Sequence, residues 1–154
     1  MPQEYTRVLV GIDGSEEAKI AMQKAVEIAK RNHATLVIAH VVDTRTYQGF
    51  STFDGTLPER IRKEIKATLE EYRLLAEKAG LEKVKTLLKY GPPKKMLAQD
   101  IPMDENIDLI VMGATGLNAI ERAFLGSISG FVMRHALCDV LIVRTDLHNL
   151  PIKD

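Results

Sequence analysis

Apolar positions along the chain switch repeatedly between two periods. Residues 7–12 (RVLVGI) form a short run rich in β-branched side chains, and Asp13-Gly14-Ser15 interrupts it. Ala18, Ala21, Met22, Ala25, Val26 and Ala29 then recur at helical spacing, a narrow stripe of small residues suited to lying close on a sheet. Asp13 or Ser15 can cap the first turn of that helix, and Glu16 and Glu17 sit where its dipole favours acids. Residues 34–42 (ATLVIAHVV) are almost continuously apolar, as in a strand covered on both faces.

The segment 43–57 has no sustained period and is predicted to be a long flexible loop. Pro58 opens a second helix to about Lys78, with Ile61, Ile65, Leu69, Tyr72 and Ala76 on its apolar face and Gly80 just beyond its end. Residues 84–90 (VKTLLKY) alternate in part and predict an edge strand guarded by Lys85 and Lys89. A short helix over residues 95–101 should be stopped or kinked by Pro102. Residues 108–112 predict a strand, 127–136 a helix and 140–143 a final strand, and the polar tail 146–154 should fray or cap the sheet edge. Alternating strands and helices of this kind predict one α/β domain over residues 1–154, with a parallel sheet between two helical layers.

Composition narrows the function. The 21 basic and 21 acidic residues cancel, so bulk charge favours neither a nucleic acid nor an anionic membrane as partner. No segment is apolar enough to span a bilayer, the N-terminus carries no signal-like core, and a lone cysteine (Cys138) excludes an internal disulfide. A cytoplasmic location is the expectation. His33, His40, His135 and His148 do not pair with one another or with Cys138 at metal-ligand spacing, so no metal site is expected.

The chemistry concentrates in residues 113–127, GATGLNAIERAFLGS. Gly113 and Gly116 follow a predicted strand, at the end where open parallel sheets hold ligands. Gly126 precedes a helix whose first-turn amides, with the hydroxyls of Ser127 and Ser129, would make an anion site without a lysine. Tight-turn chemistry explains the glycines about as well, and residue types alone leave both readings open. Arg122, between the glycines, either reaches a terminal phosphate or is solvated. There is no Walker lysine, no Gly-x-Gly-x-x-Gly and no Gly-x-Ser-x-Gly elbow, so Ser127 is not expected to be a nucleophile.

Residues 113–127 also match the Gly-x2-Gly-x9-Gly-Ser pattern of the ATP-binding branch of the universal stress protein family. The resemblance extends to VLVGIDGSEEA, AHVVD, DLIVMGATG and HALCDVLIVR, in that order along nearly the whole chain. It implies a five-stranded Rossmann-like sheet of order 3-2-1-4-5 and a nucleotide crevice at the switch point between strands 1 and 4. It further implies adenine near Ile12, Asp13 and Val41, ribose at Met112 or Gly113, and phosphates at Gly116, Gly126, Ser127 and Ile128. Gly11 is carried over although relatives have a small residue or proline there. The implied ligand is ATP, with Mg²⁺ on its phosphates, and the implied partner a second copy joined through Val140, Leu141, Ile142 and Val143. A slow hydrolase, an adenylating enzyme and a nucleotide-free interaction protein are the alternatives. The adenylating relatives carry a Ser-Gly-Gly-x-Asp-Ser loop after the first strand, where this chain has GIDGS.

Overall fold

A computed structural model describes residues 4–45, 57–114 and 125–152. Its elements in order are β1 (Arg7–Gly11), α1 (Glu16–Asn32), β2 (Thr35–Val42), α2 (Glu59–Lys78) and β3 (Val84–Tyr90). A helical stretch follows, made of α3 (Pro93–Lys95), a π-helical turn (Met96–Asp100) and α4 (Ile101–Asp104). β4 (Leu109–Gly113), α5 (Ser127–His135) and β5 (Asp139–Val143) complete the domain. The five strands form a single parallel sheet of order β3-β2-β1-β4-β5.

Strand alternation divides the core. Val8 and Val10 of β1 and Leu36 and Ile38 of β2 face α1 and α2, whereas Leu9, Val37 and Ala39 face Leu97, Ile101 and Val132 on the opposite layer. β1 is completely buried at Val8, Leu9 and Val10, which explains its unbroken apolar run. The small-residue stripe of α1 is its buried face, residue for residue. Alanine at 21, 25 and 29 leaves so little side chain that the helix lies directly on β1 and β4.

Sequence punctuation sets most helix ends. Ser15 Oγ accepts the Ala18 N–H at 3.2 Å and caps α1. α2 closes in a Schellman motif, with Leu81 N–H bonded to Ala76 O and Gly80 N–H to Glu77 O. That geometry places Gly80 at φ +102°, a torsion only glycine adopts freely. Pro102 does not stop the helical stretch, which runs through it to Asp104, but the helix is irregular just before it. Proline lacks a donor and crowds the carbonyl four residues earlier. The preceding π turn, where Ile101 N–H reaches back five residues to Met96 O, widens the helix and accommodates the ring.

Residues 145–151 of the tail fold back on themselves. Thr145 and Pro151 form an antiparallel bridge, Asp146 Oδ1 accepts the amides of His148 and Leu150, and Lys24 Nζ of α1 bonds Thr145 Oγ1 and Asn149 Oδ1. Most of the predicted 43–57 loop, residues 46–56, lies outside the described residues. Among its ends, Leu57 is buried and Asp43 pairs with Arg45.

Candidate nucleotide site

At the carboxyl end of the sheet, between β1 and β4, lies a hollow of about 320 Å³. Sites for small molecules span about 300–1,000 Å³. Its location follows from topology: the chain leaves β1 toward β2 on one side, while β4 begins the other half of the sheet, so the gap falls at the switch point between their carboxyl ends.

One end of the hollow is apolar, with Ala39 and Val41 of β2, Gly11 of β1, and Pro93 and Leu97 from the stretch after β3. This end also carries a main-chain edge. In β2, odd-numbered residues turn their peptide groups toward β1, as the bonds from Thr35 N–H to Thr6 O and from Ile12 N–H to Ala39 O show. Even-numbered ones turn toward β3, as in the bond from Gly91 N–H to Val42 O. The β1–β2 register stops at Gly11 opposite Ala39, but β2 continues to Val42. The N–H and C=O of Val41 therefore point past the end of β1, at the hollow that Val41 lines.

The other end is built by α5. Gly126 is its N-cap and offers no side chain, so the amides of Ser127, Ile128 and Ser129 begin the helix without a side-chain cap or an intrahelical acceptor. All three residues line the hollow. Two groups expected at the ligand are committed elsewhere. Gly126 N–H donates to Ala114 O at 2.9 Å, and the hydroxyl of Ser129, which is buried, donates to Gly113 O at 2.7 Å. These bonds tie α5 to the end of β4 and fix where its first turn points. Ser127 is exposed, and of the two serines it keeps its hydroxyl without a protein acceptor among the described residues.

Gly113 answers to a different demand. A Cβ there would stand 3.2 Å from Glu17 Cβ and 3.3 Å from Glu17 O. What comes close to this glycine is the backbone of α1. Gly11 is similar but softer, since its Cβ would meet the tip of Leu97 at 3.2 Å.

The electrostatics are one-sided. Asp13 and Glu17 border the hollow, and no Lys or Arg lines it among the described residues. Asp13 is exposed, and its Oδ1 accepts the Ser15 N–H at 2.9 Å, shaping the turn into α1. His40 faces the opposite side of β2 from Val41. Burial holds its imidazole below the usual value, against a smaller opposing pull from Asp13. Burial likewise raises the half-buried Cys138 thiol, with Asp139 and Asp108 adding to the effect.

Ten of the sequence-predicted residues, Gly11, Ile12, Asp13, Val41, Met112, Gly113, Gly126, Ser127, Ile128 and Ser129, line this one hollow. Gly116 and Arg122 lie outside the described residues. Sequence reasoning missed Pro93, Leu97 and Glu17. The crossover from β3 to β4 carries the first two beneath β1 and β2, and no local pattern announces that path. Glu17 reads as an ordinary first-turn acid. No group of three or more His, Cys, Asp or Glu with metal-holding geometry occurs among the described residues.

Residues 4–144 match the sequence model of the universal stress protein family. A putative universal stress protein of Staphylococcus haemolyticus is 42% identical over 142 residues, covering 92% of this chain and 86% of the relative. Among solved structures, the hypothetical protein MJ0577, the subject of a structure-based assignment of biochemical function, superposes with a TM-score of 0.78 at 28% identity, covering 92% of this chain and 96% of that one. A universal stress protein in complex with cAMP superposes at 0.70 with 30% identity, covering 92% and 98% of the two chains.

Proposed function

The chain belongs to the universal stress protein family, and from that premise we propose that it is an adenine-nucleotide-binding module holding ATP with Mg²⁺ at the β1–β4 crevice. The observation that carries this reading is the pairing, in one hollow, of the Val41 peptide edge with the uncapped first turn of α5. Adenine presents an amino donor beside a ring-nitrogen acceptor, which complements a C=O beside an N–H. In the same ring orientation guanine presents the reverse order and would set like groups against like. The apolar side chains around Val41 suit the faces of the base, and the amides of Ser127 and Ile128 suit a phosphate.

Both acidic residues at the rim and the absence of a lining cation among the described residues argue that the polyphosphate arrives with its charge partly neutralised. Mg²⁺ on the phosphate oxygens would supply that neutralisation. Asp13 is tied to Ser15, and the chain has no Gly-x-Ser-x-Gly elbow and no Walker lysine. The role is therefore binding, with occupancy read by partners, and turnover, if present, is slow.

A second reading has its own support. A relative of 30% identity is in complex with cAMP, and a cyclic monophosphate needs fewer donors than a triphosphate. Isothermal titration with ATP, ADP, AMP and cAMP, each with and without Mg²⁺, separates the two. Micromolar ATP binding, worth about 8 kcal/mol, is the expected result. An absence of heat with every nucleotide, from protein with a folded circular dichroism spectrum, would reject nucleotide binding.

A homodimer through β5 is part of the proposal. Among the described residues β5 pairs only with β4, its Leu141 is 38% exposed, and Leu137 just before it is 84% exposed. Of the four residues assigned to that interface, Val143 lies in the core beneath α1, so Leu141 is the one that presents an apolar side chain outward. No helix among the described residues is long and apolar enough to cross a membrane, and the half-buried lone thiol suits the cytoplasm.

A further inference from the structure

Among the described residues two carboxylates border the hollow, and they are not equivalent. Asp13 is held by the Ser15 amide. Glu17 has no hydrogen-bond or ion-pair partner among the described residues. The helix dipole accounts for an acid in the first turn, but it favours Glu16 equally, and of the two only Glu17 lines the hollow.

Its place along the hollow is set by backbone contact. The first turn of α1 is pressed against Gly113, the last residue of β4, at the 3.2 and 3.3 Å separations that a Cβ there would have from Glu17 Cβ and O. Gly113 stands between the two ends of the site: Val41 and Leu97 lie to one side, and Gly126, bonded to Ala114, begins the other. A nucleotide with its base at Val41 and its phosphate at Ser127 therefore carries its sugar past Gly113, beside Glu17. A carboxylate there would repel a phosphate, but it can accept hydrogen bonds from two hydroxyls.

We propose that Glu17 is the residue that reads the sugar, its carboxylate accepting the ribose hydroxyls, so that the site selects ribonucleotides over 2′-deoxyribonucleotides. The inference rests on the nucleotide reading above. It uses the same chemistry by which an acidic side chain recognises a ribose diol in dinucleotide folds, here supplied from α1.

The test is calorimetric titration of the wild type, Glu17→Gln and Glu16→Gln with Mg·ATP and Mg·2′-deoxy-ATP. Expected are a preference of about ten-fold or more for ATP in the wild type and in Glu16→Gln, falling to within two-fold in Glu17→Gln, with the loss confined to ATP. Because the Glu17 carboxylate holds no partner among the described residues, Glu17→Gln should melt close to the wild type, as Glu16→Gln should. Retained discrimination in Glu17→Gln overturns the inference. So does tighter binding of both nucleotides with a weaker need for Mg²⁺, which would make Glu17 a neighbour of the phosphates. A wild type that binds ATP and 2′-deoxy-ATP equally removes this inference alone. A wild type that binds neither removes the nucleotide reading as well.

Discussion

Replacing Gly113 with alanine should destabilise the fold, and the size of the effect follows from what the new methyl meets. Three atoms of Glu17 lie within 3.4 Å of it: Cβ at 3.2 Å, the carbonyl oxygen at 3.3 Å and the carbonyl carbon at 3.4 Å. Two of these belong to the backbone of α1, whose opposite end is anchored by Ala25 and Ala29, both fully buried. The helix cannot yield locally, so the methyl must push α1 from β4 by a few tenths of an ångström. Overpacking of this kind costs about 1–3 kcal/mol. For a domain of this size each kcal/mol moves the melting temperature by about 2–4 °C. Gly11→Ala is the matched control. Its methyl would also meet an atom at 3.2 Å, but that atom is the Cδ2 tip of Leu97, which borders the hollow and can turn into it. Urea unfolding should therefore rank the wild type first, Gly11→Ala slightly below it, and Gly113→Ala lowest by at least 1 kcal/mol. Equal stability of Gly113→Ala and the wild type, or a larger loss at Gly11, would refute the claim that close passage of α1 requires this glycine.

Three other outcomes can be checked. Ser129→Ala leaves the Gly113 carbonyl without its partner, and should lower stability by about 1 kcal/mol in urea unfolding while loosening the first turn of α5. Because burial lowers the His40 pKa, the unfolded chain binds a proton more readily than the native state. The contribution of His40 is thus complete above the unfolded value near 6.5 and declines as pH falls toward the lower native one. The stability difference between wild type and His40→Gln should vary with pH in that window, and a flat difference would remove His40 as the cause. Leu141→Glu should convert a dimer to a monomer by light scattering, and an unchanged mass would place the interface elsewhere.

Local alternation in the sequence determined the elements themselves. Core stripes such as Ala18 to Ala29, the unbroken run of β1 and the Gly80 stop carry their periods and torsions within a few residues, so steric and hydrophobic rules read them directly. The glycine-serine pattern was legible for the same reason, since a helix start without a side chain is a local feature. Strand order was not legible from period and came only through resemblance to a family. Tertiary structure alone decided what two of the glycines serve: Gly113 admits the α1 backbone, while the Gly126 amide bonds Ala114 and the next three amides start α5 without a side-chain cap. It alone decided that Leu97 underlies β1 and that Glu17 lines the gap while Glu16 does not. Those outcomes depend on contacts between residues tens of positions apart. Such contacts arise only when the sheet order sets β1 beside β4, and no window along the chain contains both.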